Sequence, residues 1–126
     1  YGPDDNKPEE EVIARIGQDA LDKWNKDAIV PDGWKVDPQA IINNWLLWGE
    51  KAFKNFHNET ILIVSSNGII RFAPYLTGNF AEFTKEHDIK VGTGNVCIFE
   101  KEDTDKNWKC VEWNTKPKDY FKAKEA

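Results

Sequence analysis

Two stretches of the chain place apolar residues at helical spacing, and the first lies near its start. One face of this stretch carries Ile13, Ile16, Ala20 and Trp24. Pro8 and the three glutamates after it are typical of a first helical turn, where the positive end of the helix dipole favours carboxylates. The pattern predicts a helix from about Pro8 to Asp27 that stops before the turn-forming residues 31–33.

The second stretch predicts a longer and more apolar helix. Asp37-Pro38 repeats the combination of a capping residue and a proline. Apolar residues then follow at intervals of four, three, four and four: Ile41, Trp45, Trp48, Ala52 and Phe56. Because Ile42, Leu46 and Phe53 widen this stripe, we expect the helix to pack against a sheet or between two neighbouring elements.

Thr60–Val64 is a continuous apolar run, mostly β-branched, with no polar residue alternating within it. Such a run predicts a strand buried on both faces of a helix-covered parallel sheet, and we place it at the centre of the fold. Ser65-Ser66-Asn67-Gly68 ends the strand. A helical pattern then resumes from Ile69 to about Leu76, interrupted by Pro74, and a short helix is predicted from Asn79 to about Glu86.

The last third of the chain predicts a β-hairpin around the polar turn at residues 102–105. Its strands are predicted to span Asn95–Glu100 and Asn107–Trp113. If Phe99 lies opposite Trp108, Cys97 lies opposite Cys110, at a distance that a disulfide can bridge. Because disulfides are rare in the cytosol, we expect two reduced, half-buried thiols instead.

We expect residues 1–115 to form a single α/β domain, because no repeat or linker divides them. The charged tail, residues 116–126, is predicted to be mobile, with Tyr120 and Phe121 as its anchors. The first residue is Tyr1 rather than Met, and a loop-like run follows it. We therefore expect that further sequence precedes this chain.

Composition and charge exclude several classes of function. The 126 residues carry 17 basic and 22 acidic side chains, for a net charge of −5, and no basic stripe that could follow a nucleic acid backbone. The apolar runs are too short to span a membrane, and no signal sequence opens the chain, so we expect a cytoplasmic protein. The two cysteines and two histidines lack metal-site spacing, and we expect neither a metal nor a cofactor.

The turn at Ser65, Ser66, Asn67 and Gly68 is the predicted binding site. Its backbone N–H groups at a helix start, with the hydroxyl and amide side chains, are suited to a phosphate or carboxylate. Arg71, one turn later, either reaches the anion or forms a structural ion pair. An equally good interpretation is that Ser66 and Asn67 only cap the helix. His57 and His87 have polar neighbours and are predicted to be exposed, and the acidic residues near the N-terminus are predicted to be dipole partners.

Residues 59–71, ETILIVSSNGIIR, resemble the second signature of the histidine phosphatase (phosphoglycerate mutase-like) superfamily. There a strand beginning Glu-Thr ends in Ser-His-Gly-Gly, followed by two aliphatic residues and an arginine. The resemblance extends back to Tyr1-Gly2 and forward through Gly94–Phe99. It implies the C-terminal part of a three-layer α/β/α fold with a mostly parallel sheet and a late antiparallel strand pair.

The chain departs from that family at the reacting groups. It contains no Arg-His-Gly motif, which carries the phosphorylated histidine, and Ser66 and Asn67 stand where the family has its second His and the next Gly. The resemblance implies a fragment that binds a phosphorylated small molecule or phosphoprotein through Ser66, Asn67 and Arg71. In complete form it would hydrolyse or transfer the phosphoryl group. The alternatives are a non-catalytic phosphate-binding or interaction module and an unrelated small α/β domain. A chain that lacks part of its sheet would also favour homo-oligomers.

Overall fold

The computed structural model describes residues 7–120, and its first half is helical. Helices α1 (Glu9–Ile16) and α2 (Gln18–Asp27) occupy the stretch predicted as one helix. Gly17 separates them, with φ 89° and ψ 153°, a conformation that is essentially restricted to glycine. The prediction of a single continuous helix was therefore wrong at this residue.

Helix α3 (Pro38–Asn55) begins as the sequence predicts. The Asp37 carboxylate accepts a hydrogen bond from the Ala40 N–H at 3.2 Å, and Pro38 occupies the first turn. The apolar stripe is only partly covered, because Ala52 is buried while Leu46 and Phe56 remain 44% and 50% exposed. The helix packs against the short 3₁₀ helix that follows later in the chain.

The predicted three-layer α/β/α fold with a mostly parallel sheet is wrong for the described residues. Thr60–Val64 forms no strand pairing, and its side chains are exposed. The only sheet between residues 7 and 120 has two antiparallel strands, which pair with each other. A continuous apolar run becomes a buried strand only when neighbouring strands flank it, and this part of the chain supplies none.

Short helical segments follow this extended run. They are α4 (Asn67–Ile70), a 3₁₀ helix (Ala73–Thr77) and α5 (Phe80–Glu86). Pro74 lies in the first turn of the 3₁₀ helix, where a missing N–H costs nothing. Asn79 caps α5 by accepting the Glu82 N–H at 3.2 Å, so the short helix predicted from Asn79 is confirmed.

The predicted hairpin is confirmed, but its register differs. Strands β1 (Val96–Glu100) and β2 (Lys109–Thr115) pair antiparallel, and Phe99 lies opposite Cys110 rather than opposite Trp108. Trp108 stands outside the ladder because its N–H binds the Leu76 carbonyl at 3.1 Å. Cys97 and Cys110 are therefore not directly opposite, and both are free, half-buried thiols.

The core lies between α2, the segment after α4, and α5. Its buried side chains are Leu21, Trp24, Ala28, Phe72, Phe83 and Ile89. Trp24 makes edge contacts with both Trp34 and Phe72, at ring-centroid distances of 5.2 and 6.0 Å. The contact with Phe72 holds the segment directly after α4 against α2.

The structure describes the first part of the C-terminal tail, up to residue 120. Residues 117–120, within the tail that was predicted to be mobile, form a helical turn in which the Asp119 and Tyr120 N–H groups bind the Lys116 carbonyl. Predictions on Tyr1, Gly2, Asp4, Asp5 and Phe121 lie outside the described residues. Within residues 7–120, no helix is long and apolar enough to cross a membrane.

Candidate functional site

Ser66 begins the turn that the sequence singled out. It is exposed, has extended backbone angles of φ −91° and ψ 157°, and precedes α4. Its carbonyl accepts the N–H groups of Ile69 and Ile70, but its hydroxyl makes no capping hydrogen bond. The hydroxyl is therefore accessible to a ligand.

Asn67 does not cap α4 with its side chain either. Its amide oxygen accepts the Val91 N–H at 2.8 Å, which ties the turn to the segment after the core residue Ile89. Gly68, the next residue, is buried. The turn is thus anchored on one side, while Ser65 and Ser66 face solvent on the other.

Arg71 lies away from the exposed turn, in the interior. Its side chain is 1% exposed, and its guanidinium donates to the Trp24 carbonyl at 2.8 Å and to the Asn67 carbonyl at 3.2 Å. It also lies 4.0 Å from the centroid of the Trp24 ring. These contacts join the C-terminal end of α2 to α4, so Arg71 supports the turn from behind.

A groove of about 300 Å³ opens beside Ser66. It is bounded by the segment before α3, the first turn of α3 and the start of α4, and its lining residues are Lys35, Val36, Asp37, Ala40, Ile41, Ser66, Gly68 and Ile69. The groove combines a mainly apolar wall with one ammonium group and one hydroxyl. Such a combination is suited to an anion that carries an organic group.

The charges around the groove are mixed. Lys35 is exposed and makes no ion pair within the described residues. Asp37 brings a carboxylate to the same groove, but its oxygen is directed to the first turn of α3 by the Ala40 N–H. Because the positive end of α3 partly offsets this carboxylate, Lys35 is the group that can attract an anion.

Neither histidine lies at the groove. The His57 ring is 2.7 Å from the Asp103 carboxylate and edge-on to Phe53, while the His87 ring stacks on Phe83 at 4.6 Å. Both histidines are exposed, as predicted. Within residues 7–120, no group of three His, Cys, Asp or Glu side chains is placed to hold a metal ion.

A wider cavity of about 500 Å³ lies beside α1 and α2. Its charged lining residues are Arg15, Asp19, Lys23 and Asp32. Arg15 crosses it to donate to the Asp32 carbonyl at 3.1 Å, and Lys23 pairs with Asp19 at 3.6 Å. Arg15 and Lys23 therefore both have partners within the lining of this cavity. None of the predicted site residues lines it.

Lys35 is the charged residue of the groove that the sequence did not indicate. It stands alone between Trp34 and Val36, far along the chain from Ser66, so no local spacing connects them. Comparison with known protein families, with curated proteins and with solved structures found no match to this chain. The residues themselves therefore carry the functional argument.

Proposed function

We propose that the chain binds a phosphoryl group in the groove between Lys35 and Ser66, as part of a histidine-phosphatase-like protein. The observation that carries the proposal is the meeting of one free ammonium group, one free hydroxyl and Gly68 around a single groove. The resemblance of residues 59–71 to the second signature of the histidine phosphatases supports the choice of phosphate over carboxylate.

The residues around the groove would contact different parts of a phosphomonoester. Lys35 supplies a positive charge, and the Ser66 hydroxyl donates a hydrogen bond to a phosphate oxygen. The apolar wall formed by Val36, Ile41 and Ile69 accepts the organic group of a phosphomonoester. Two charge-assisted hydrogen bonds contribute about 4 kcal/mol together, which corresponds to a dissociation constant on the order of 1 mM.

Turnover would need a histidine that these 126 residues do not provide in an Arg-His-Gly motif. In the complete enzyme that histidine attacks phosphorus, forming a P–N bond as the P–O bond to the leaving group breaks and the leaving oxygen takes a proton. Water or a second hydroxyl then receives the phosphoryl group. Ser66 cannot supply the positive charge of an imidazolium, so it contributes binding more than transition-state stabilisation.

The second candidate is a non-catalytic phosphate-binding or interaction module. The distance of both histidines from the groove favours it, because His57 pairs with Asp103 and His87 stacks on Phe83. The coding sequence upstream of Tyr1 separates the two candidates. An Arg-His-Gly motif there supports the enzyme, and a start codon directly before Tyr1 supports the module.

A cytoplasmic location belongs to the same proposal. Cys97 and Cys110 are free thiols, as expected in a reducing compartment. Fractionation of cells that express the tagged protein under its native promoter tests this. Recovery with cytoplasmic markers is expected, and recovery in a secreted or periplasmic fraction would contradict it.

Titration calorimetry with inorganic phosphate and with phenyl phosphate tests the binding site. We expect phenyl phosphate to bind more tightly, because its ring contacts the apolar wall. Lys35→Ala and Ser66→Ala should each weaken binding by about thirtyfold, because each removes one charge-assisted hydrogen bond of about 2 kcal/mol.

Lys51→Ala is the matched control, because it removes the same charge from an exposed position on α3 that does not line the groove. Its affinity should equal that of the unmodified chain. Equal weakening in Lys35→Ala and Lys51→Ala would mean that phosphate responds only to net charge, and the proposed site would be wrong.

A further inference from the structure

Residues 61–64 form an exposed segment that belongs to no helix or strand. The side chains of Ile61, Leu62, Ile63 and Val64 are 39%, 85%, 41% and 88% exposed. This alternation with a period of two is the pattern of an extended strand with one face on the body of the protein and the other in water. Leu62 and Val64 are the two most exposed large apolar side chains among the described residues.

The backbone of this segment is also unpaired. Within residues 7–120, no hydrogen bond reaches the N–H or C=O groups from Thr60 to Ser65. Backbone hydrogen bonds resume only at Ser66, whose carbonyl accepts the N–H groups of Ile69 and Ile70 in α4. Both edges of the segment thus present free donors and acceptors, which is the property that makes an exposed strand a template for pairing.

The segment has none of the features that protect edge strands from association. Residues 60–66 contain no charged side chain and no proline, and no other element covers the backbone of Thr60–Ser65 by hydrogen bonding. A charged peptide would bring an uncompensated charge to this neutral surface. The complementary occupant is a neutral, apolar, extended strand.

We propose that a second copy of this chain occupies the segment, by antiparallel pairing of Thr60–Ser66 across a two-fold axis at Ile63. A two-fold contact pairs one edge of the free segment in each copy with the same edge in the other, and such an isologous contact joins two copies only. This interface goes beyond the phosphate-binding proposal, but it shares Ser66 with the proposed site, so the tests of pairing are made without phosphate.

The sequence is self-complementary in this register. Leu62 of each copy lies opposite Val64 of the other, so the four most exposed apolar side chains form one cluster on the open face. Thr60 lies opposite Ser66, and Ile63 lies opposite itself on the axis. Pairing also forms about six to eight backbone hydrogen bonds.

Charge placement favours the same register. Glu59 of one copy lies opposite Asn67 of the other, so the two carboxylates do not face each other across the pair.

Sedimentation velocity and equilibrium of the full 126-residue chain test the proposal, over concentrations from about 1 µM to about 1 mM. The mass should rise from 14.5 kDa to twice that value and stop there. The variant Leu62→Lys/Val64→Lys places like charges opposite each other at both pairs, so it should stay at 14.5 kDa throughout. Because both side chains are almost fully exposed, the monomer should keep its melting temperature.

The matched control is Leu46→Lys/Leu47→Lys, which makes the same chemical change at two exposed positions on α3. It should dimerise like the unmodified chain. A monomer at all concentrations, or dimerisation of the Leu62→Lys/Val64→Lys variant, would overturn the proposal. Growth beyond two copies would also overturn it, because a two-fold contact closes.

Amide hydrogen exchange provides the second measurement. Every second amide from Thr60 to Ser66, the set that points at the partner strand, should exchange at least about tenfold more slowly at the highest concentration than at the lowest, since pairing protects it. Amides in α3 should not change. Protection of another segment in place of this one would assign the interface elsewhere and contradict the strand pairing.

Discussion

Arg71 illustrates how one buried charge organises its surroundings. Its guanidinium hydrogen-bonds to the backbone carbonyls of Trp24 and Asn67 and lies over the Trp24 ring, which links α2 to α4. The arginine motif that suggested a phosphate ligand therefore has a structural role in this chain, and the exposed ammonium group of Lys35 takes the place beside Ser66.

The contacts of Arg71 predict a large effect on stability. Arg71→Ala should lower the free energy of unfolding by about 3 kcal/mol, because the Trp24 carbonyl loses its charged donor in a buried site and the cation–π contact is lost. Urea denaturation measures the change. Lys23→Ala, an exposed position on α2, should change it by less than about 0.5 kcal/mol. Equal effects of the two substitutions would contradict a stabilising role for the buried contacts of Arg71.

Removing the charge of Asp37 should strengthen phosphate binding. Asp37→Asn keeps a good N-terminal cap for α3 and removes the negative charge from the groove. Phosphate affinity should rise by about threefold to tenfold, the range expected for removing one like charge near a partly exposed anion. Calorimetry measures the affinity, and a weaker or unchanged affinity would show that phosphate does not bind in this groove.

At the scale of elements, the predictions that held depend on local signals. The Asp37-Pro38 pair located the start of α3, Asn79 located α5, and the turn at residues 102–105 located the hairpin. The hairpin register could not be read locally. It depends on Trp108, which leaves the ladder to bind Leu76, a residue of the 3₁₀ helix.

The hairpin also makes stability depend on pH. Burial, followed by the nearby Cys97, raises the pKa of Cys110 to about 12, from an ordinary value of 9.0. Burial raises the pKa of Cys97 as well. Because the folded state holds these protons more tightly than the unfolded state, the stabilisation is complete below pH 9 and is lost as pH rises toward about 12.

Urea denaturation at a series of pH values checks this dependence. The free energy of unfolding should fall between pH 9 and about 12 in the unmodified chain, and should fall less steeply in Cys110→Ala. Comparing the two chains removes the contribution of lysine and tyrosine titration, which both share. Parallel curves would mean that the thiols do not titrate differently in the folded state.

At the scale of the whole molecule, the sequence is least informative where partners are non-local. The run Thr60–Val64 has the composition of a central strand, yet its burial depends on neighbouring strands that residues 7–120 do not contain. Non-local packing also determined which residues line the proposed phosphate site. Ser66 and Gly68 were predicted from their position after an apolar run, whereas Lys35 comes to the groove only through the packing of α3 against the later helical segments.

Amide NMR during a phosphate titration tests most directly whether phosphate binds between Lys35 and Ser66. We expect the amide signals of Lys35, Ser66, Asn67 and Gly68 to shift together and to saturate with one dissociation constant on the order of 1 mM. Signals at Lys23 and Lys51 should stay in place. Shifts that are absent at Ser66 and Gly68, or that spread over exposed lysines without saturating, would contradict the account.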